Sequence, residues 1–369
     1  MKLNRLGILS LGLAWVTFSS AQLLIGQTAG FSGVVSGGVL ETTEGAKLYL
    51  DAVNNQGGIG GQKIELLSLD DKFDPKLAAE NARVLIEDRG VLAMFLNRGT
   101  PHTQAIIPLL DKYGVALIAP SSGAMVLHKP VQKYIFNVRT TYQREAEKAV
   151  AHLSTLGTTR IAVIQVDDSF GADALIGAKK GFLAAKITPV AVEKFDRAKP
   201  DFTALIPAIA RANPQAVMVF GSGSAVVDAI SALRAAGSNA QVVTLSNNAS
   251  GGFVKSLGKY ARGVVITQVF PNERAITYAL VREAQSLARA KGHQEVSPAM
   301  LEGFAAAKVL VEALRRSGNK PSRDRIVTAL ESMKKFDLGG LEISYSPTDH
   351  TGLDFADLSI VGADGRFQR

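Results

Sequence analysis

The stretch that decides the fold is Val91-Leu92-Ala93-Met94-Phe95-Leu96-Asn97-Arg98-Gly99-Thr100-Pro101-His102-Thr103. An apolar run of strand length ends at Leu96, and a small polar loop follows. Pro101 suits the first turn of a helix, and the apolar positions Ile106, Ile107, Leu109 and Leu110 recur at helical spacing. A strand that feeds a helix through such a loop leaves unpaired backbone N–H groups at the helix start. Those groups, with the helix dipole, favour an anionic ligand. In open α/β sheets the crevice beyond the carboxyl ends of the strands is where ligands bind.

The same strand–helix rhythm extends in both directions. Leu23–Gln27 reads as a first strand, and a loop rich in small residues, Thr28 to Gly38, leads into a helix over Leu40–Gln56. That helix stops at Gly57-Gly58, which suit a C-cap. Lys63–Leu69 alternates as a second strand. Asp74-Pro75 then supplies a helix cap and a proline at the first helical position. Ala116–Ala119 is a further strand. A second series begins after Phe136-Asn137-Val138-Arg139, with a helix over Arg144–Leu156 and a strand over Arg160–Val166. Asp167-Asp168-Ser169-Phe170-Gly171 opens another helix. Ala216–Phe220 is an apolar strand leading through Gly221-Ser222-Gly223-Ser224 into a helix over Ala225–Ala236. Gln241–Leu245 and Val264–Thr267 complete this set. Ala275–Ser332 reads as mostly helical, and Leu341–Tyr345 and Phe355–Val361 read as strands with Asp364-Gly365 as a turn. Alternation of this kind predicts βαβ units around parallel sheets, in two lobes.

Bulk composition narrows the function. Lys2 and Arg5 precede an apolar run from Leu6 to Phe18, and Ser19-Ser20-Ala21 offers small residues for cleavage, the three parts of a secretory signal peptide. A membrane anchor needs about 20 apolar residues, more than this run holds. Residues 1–21 are therefore expected to be removed near Ala21, giving a soluble exported protein. The 369-residue chain is 47% hydrophobic and 20% charged, as in globular proteins, and long enough for two domains. Its formal net charge of +8 falls by two when Lys2 and Arg5 are removed, and no block of like charges appears. That argues against a nucleic-acid groove. The absence of cysteine excludes disulfides, thiol catalysis and thiolate metal sites. His102, His128, His152, His293 and His350 show no short metal-ligand spacing, and Asp167-Asp168 reads as a surface loop or helix cap. Gly221-Ser222-Gly223-Ser224 begins like a dinucleotide motif but has Val226 at the third glycine position and lies in a late unit. Neither a Gly-x-Ser-x-Gly elbow nor a phosphate-binding Gly-Lys-Ser/Thr loop occurs.

Several motifs, in order and spacing over the mature chain, resemble the type I periplasmic solute-binding proteins of ABC transporters. The likeness is to the branched-chain amino acid (leucine/isoleucine/valine) receptor family. They are Ser32-Gly33, Asp51-Ala52-Val53-Asn54 with Gly57-Gly58-Ile59-Gly60-Gly61, and Leu69-Asp70-Asp71 with Asp74-Pro75. Ala119-Pro120-Ser121-Ser122, Asp168-Ser169-Phe170-Gly171 and Ser344-Tyr345-Ser346-Pro347-Thr348-Asp349-His350 follow. The resemblance implies two Rossmann-like lobes, each a parallel sheet flanked by helices, joined by three crossovers and closing over a ligand. On it the N-terminal lobe comprises 22–140 and 269–340, and the C-terminal lobe 141–268 and 341–369. It places Gly99 and Thr100 at the ligand carboxylate, with Ser121 and Ser122 on the next loop. Phe170 matches an aromatic contact from the other lobe, where Ser224 and Ser246 also fall.

Departures from the family matter. Acidic side chains that meet a ligand ammonium lie near the positions of Tyr142 and Ser246, and neither is acidic here. A neutral partner offsets less of the desolvation of a buried ammonium. An aromatic contact from the first loop is replaced by Gly38, and Arg98 adds a cation able to pair bidentately with a carboxylate. The expected ligand is a small carboxylate-bearing solute, an amino acid or an aromatic or aliphatic organic acid. The resemblance implies a monomeric, non-catalytic importer subunit that docks on an inner-membrane ABC permease and needs no metal, cofactor or nucleic acid. A ligand-sensing receptor of the same fold, or an enzyme on a related scaffold, are the alternatives.

Overall fold

The computed structural model describes residues 22–369; the expected signal peptide lies outside the described residues. The first sheet holds five parallel strands, β1 (Leu23–Ala29), β2 (Ile64–Asp70), β3 (Ala93–Phe95), β4 (Leu117–Ile118) and β5 (Ile135–Phe136), in the order β2-β1-β3-β4-β5. Around it lie helices α1 (Ser36–Asn55), α2 (Pro75–Arg83) and α3 (Thr100–Tyr113). The second sheet is built on parallel strands β6 (Ile161–Val166), β7 (Ala191–Phe195), β8 (Ala216–Phe220), β9 (Gln241–Thr244) and β10 (Val265–Gln268). Its helices are α4 (Tyr142–Thr155), α5 (Ser169–Ala185), α6 (Leu205–Arg211), α7 (Ser224–Ala235) and α8 (Gly251–Leu257). The chain then returns to the first lobe for α9 (Ala279–Ala290), α10 (Pro298–Arg316) and α11 (Arg323–Glu331), followed by the hairpin β11 (Phe336–Asp337) and β12 (Glu342–Ile343). Finally β13 (Asp357–Val361) and β14 (Phe367–Gln368) add to the second sheet as antiparallel strands, giving the order β14-β13-β10-β9-β8-β6-β7.

Each lobe has its own core, because each sheet is apolar on faces that only helices can cover. Buried Ile25, Phe95, Ile118 and Phe136 pack with Phe304, Leu310 and Leu314 in the first. Val163, Val217, Val219 and Val243 pack with Ala146, Val150, Ala174 and Ile230 in the second. In the first lobe α1 and α10 cross so closely that a Cβ on Gly45 would lie 1.9 Å from the Met300 carbonyl oxygen. One on Gly303 would lie 1.7 Å from that of Thr42. This mutual glycine contact fixes the height of Glu302, a charge set in an otherwise apolar helix segment.

The tail departs from the sequence expectation. Residues 341–369 do not join the second lobe as a block. Ile343, Tyr345 and Leu353 are buried in the first core, Tyr345 Oη donates to Asn137 O at 2.6 Å, and Asn137 N donates to His350 O at 3.0 Å. Only the segment from Asp357 onward pairs with β10. Ile343, with the partly buried Phe336 and Leu341, packs in the same core as Leu330 and Met333. The second sheet is correspondingly mixed rather than wholly parallel.

The lobes are in contact across the crevice. Ser224 N donates to Val34 O at 3.1 Å, and Ser169 Oγ donates to Gln104 Oε1 at 2.6 Å. The Glu41 carboxylate accepts from Gly251 N and Gly252 N at 3.0 and 2.7 Å. The Arg197 guanidinium, held by Asp168, stands 5.0 Å over the Phe73 ring.

Candidate functional site at the lobe junction

The loop after β3 is held by its own polar groups. Asn97 Nδ2 donates to Thr103 Oγ1, and that hydroxyl donates to Gly99 O, both at 2.8 Å. Gly99 has φ +98°, a conformation costly for a side chain, and it turns the strand into α3. The loop after β4 runs beside it: Ser121 N donates to Asn97 O at 2.8 Å. Thr100 Oγ1 and Ser122 Oγ are 2.9 Å apart. Between these loops Arg98 turns inward and is 5% exposed. Its Nη1 donates to Ser121 Oγ at 3.2 Å, and its Nη2 crosses to the second lobe and donates to Asn247 O. No carboxylate oxygen among the described residues lies within 4.0 Å of it. Burial lowers the Arg98 pKa while Tyr142 and Glu302 act in the opposite sense, and a guanidinium stays protonated regardless.

The second lobe contributes helix starts. Thr141 caps α4 by accepting from Arg144 N, and Asp168 caps α5 by accepting from Phe170 N and Gly171 N. The rings of Tyr142 and Phe170, one at each helix start, meet edge to face with centroids 4.7 Å apart.

A buried charge network joins the two halves. Arg139 is 1% exposed on the connection between the lobes. It pairs with Glu145, donates to Ser246 Oγ at 2.6 Å, and lies 4.6 Å over the Tyr142 ring. Glu145 also accepts from Ser246 N at 3.0 Å and from Thr267 Oγ1. Glu302 Oε1 stands 3.8 Å from Arg139 Nη1 and accepts from Ser121 Oγ at 2.8 Å. Burial opposes the Arg139 charge, but Tyr142, Glu145 and Glu302 outweigh it and raise the pKa above the usual arginine value.

The sequence-derived residues thus fall into one connected region. Arg98 touches Ser121, Ser121 touches Glu302, and Glu302 reaches Arg139, which meets Tyr142 and Ser246. Thr100, Ser121, Ser122, Tyr142 and Phe170 are all buried. Ser224 is exposed at the start of α7. A cleft of about 330 Å³ opens between the lobes here, and Arg98, Ser224 and Gly38 are among its lining residues. A larger cleft, about 450 Å³, lies between α9–α10 and the β13–β14 hairpin and includes none of the expected site residues. Sequence reasoning missed Arg139, Glu145, Glu302 and Asn247. The one available signal was Glu302, a lone charge within Leu301-Glu302-Gly303-Phe304-Ala305-Ala306-Ala307. Asp167 and Asp168 instead pair with Lys194 and Arg197. Among the described residues there is no group of three or more His, Asp or Glu placed to hold a metal ion, and no helix long and apolar enough to cross a membrane.

Residues 22–361 match the periplasmic binding protein family. The chain belongs to that family, and the relatives it resembles include Leu/Ile/Val-binding proteins. It is 24% identical to a Leu/Ile/Val-binding protein of Rhizobium johnstonii over 353 residues, covering 93% of each chain. A substrate-binding periplasmic protein from Ralstonia solanacearum superposes with a TM-score of 0.87 at 27% identity, covering 94% of this chain and 99% of that one. A possible leucine/isoleucine/valine-binding protein from Rhodopirellula baltica gives 0.88 at 25%, covering 96% and 98%. These relatives are named as binding proteins, not enzymes.

Proposed function

We propose that this periplasmic binding protein is the exported substrate-binding subunit of an ABC importer, and that it captures a small carboxylate-bearing solute between its lobes. The observation that carries the ligand class is Arg98: a buried guanidinium, reaching from one lobe to a backbone carbonyl of the other, with no carboxylate against it. A buried cation without a paired anion is unfavourable, and a ligand carboxylate offers two acceptors in the geometry a guanidinium matches. On this reading Gly99, Thr100, Ser121 and Ser122 bound the seat from the first lobe and Tyr142, Phe170 and Ser246 from the second, while Ser224 is the one of these that lines the open cleft with Arg98. Because Arg98 bonds to both lobes, a carboxylate seated on it favours the closed form over an open one. The closed form then docks on a membrane permease, whose ATPase partners supply the energy of transport.

Calorimetric titration with small carboxylates tests the seat. Wild type is expected to bind, and Arg98→Gln to bind at least about 100-fold more weakly, as expected for loss of a charge-assisted bidentate contact. Equal binding by the two proteins rejects it. Transport is tested separately: deletion of the gene should abolish uptake of the ligand identified by mass spectrometry of the purified, denatured protein. Unchanged uptake would point to a receptor that senses the same ligand.

A further inference from the structure

The cleft that reaches Arg98 is unlike a pocket for a zwitterion. Of the residues lining it, Arg98 alone is charged. Its walls combine the apolar Val34, Val227 and Phe253 with the hydroxyls of Ser224, Ser250 and Ser256. Three carboxylates close to the junction are committed. Glu145 and Glu302 serve Arg139, and Glu41 accepts from two backbone N–H groups of α8 and from Ser297 Oγ. No acidic side chain lines the cleft to receive a ligand ammonium, and burying that ammonium unpaired is costly.

Gly38 controls access. It lies in the first turn of α1, and a Cβ built on it would stand 3.9 Å from Arg98 Nη2 and 3.8 Å from Ser250 Oγ, ordinary contact distances. A large side chain there would cover the guanidinium and fill the passage outward. With glycine the way from Arg98 into the cleft is open.

Resting on the reading of Arg98 as the carboxylate seat, we infer that the ligand is an extended monocarboxylate with an uncharged body. Its carboxylate lies on Arg98 and its chain runs past Gly38 into the cleft between α1, α7 and α8. Gly38 is the specificity-determining residue. Apolar chain length then adds affinity until the cleft is filled, while an amino group beside the carboxylate subtracts it.

The test is calorimetric titration of the purified protein with butyrate, hexanoate and octanoate, and with leucine against isocaproate, its counterpart lacking the amino group. Affinity is expected to rise about fourfold per added methylene, the value of burying that group. Isocaproate is expected to bind at least about tenfold more tightly than leucine. Gly38→Phe should abolish the gain with chain length, and Gly38→Ala, which fits without displacing a neighbour, should keep it; melting curves without ligand check that both variants fold. A flat response to chain length, preference for leucine, or octanoate binding unchanged in Gly38→Phe overturns the inference. If Arg98→Gln loses all binding while chain length has no effect, the extended ligand alone fails. If Arg98→Gln binds the series like wild type, or wild type binds none of these acids, the carboxylate seat fails with it.

Discussion

Arg139 shows how one residue couples stability to the site. Its guanidinium is 1% exposed, and Glu145 and Glu302 together balance it. Removing one partner of a buried pair leaves a charge without compensation, a cost of about 3–5 kcal/mol. Glu145→Ala is expected to lower the unfolding free energy in urea by about that amount, and a loss below about 1 kcal/mol would contradict the pairing. Buried titratable side chains also set the pH response. Burial depresses His102 and His128 from 6.5 to about 4, so between those values the folded protein holds fewer protons than the unfolded chain. Stability therefore falls as pH drops through that window. Asp71, raised by burial to about 6 from 3.8, acts in the opposite sense over most of the same range. Asp173 and Glu273, also raised by burial, act in the same sense as Asp71, so the histidine contribution is read by difference: a His102→Gln/His128→Gln protein should lose less stability than wild type between pH 6.5 and pH 4 in urea titrations. An equal loss in both proteins would sink the assignment. At this scale the sequence was only partly legible. Arg98 stood out because Gly99-Thr100-Pro101 marks a strand end beside it. Arg139, Glu145 and Glu302 look like ordinary charged residues in a string of letters. Their meaning arises only where segments far apart in the chain meet.

At the scale of elements, helix starts were the most readable features, because a cap is a local transaction between a side chain and backbone N–H groups within a few residues. Asp74 accepts from Lys76 N at 2.7 Å, and Asp168 accepts from Phe170 N at 2.9 Å and Gly171 N at 3.1 Å. Asp168 has a second duty, since it holds Arg197 over Phe73 in the other lobe. Asp168→Ala is expected to cost about 1–2 kcal/mol in stability through the lost cap and also to weaken ligand binding by releasing Arg197. Asp168→Asn keeps a capping oxygen but loses the charge, so it should retain most of the stability and show the binding defect alone. If Asn restored both properties, Arg197 would have no part in closure. Less readable were the two-residue strands β5, β11 and β14, which are too short to carry a period, and β7, where the adjacent charges of Glu193 and Lys194 break any apolar alternation. The tail misled because Leu341–Tyr345 alternates like any edge strand. Alternation tells which face of a strand is apolar but not which core will bury it. Here the first core, which includes Leu330 and Met333, takes the hairpin.

For the whole molecule, the two-lobe plan follows from counting strand–helix units, which is why it is legible in the sequence. The manner in which the lobes meet was not visible, because it depends on a close approach between residues almost 190 positions apart. Gly223 has φ +56° and ψ −129°, and a Cβ on it would lie 1.7 Å from Val34 O and 3.3 Å from Val35 Cα, both on the opposing lobe. The next residue, Ser224, donates its N–H to that same carbonyl at 3.1 Å. A side chain at 223 therefore meets backbone, which cannot rotate away, and its left-handed conformation adds strain of its own. Neither lobe's core includes this contact, so each lobe should fold as before while the pair is held apart. Gly223→Ala is expected to show a larger radius of gyration by small-angle scattering with ligand present. Its affinity should fall at least about tenfold, since a ligand that needs the closed state is weakened by the fraction of molecules unable to reach it. The same variant separates closure from seating: in it, contacts of the first lobe alone remain, and adding Arg98→Gln should remove the residual binding. A Gly223→Ala protein that closed and bound like wild type would show that the lobes can meet in some other register than the one seen between Val34 and Ser224.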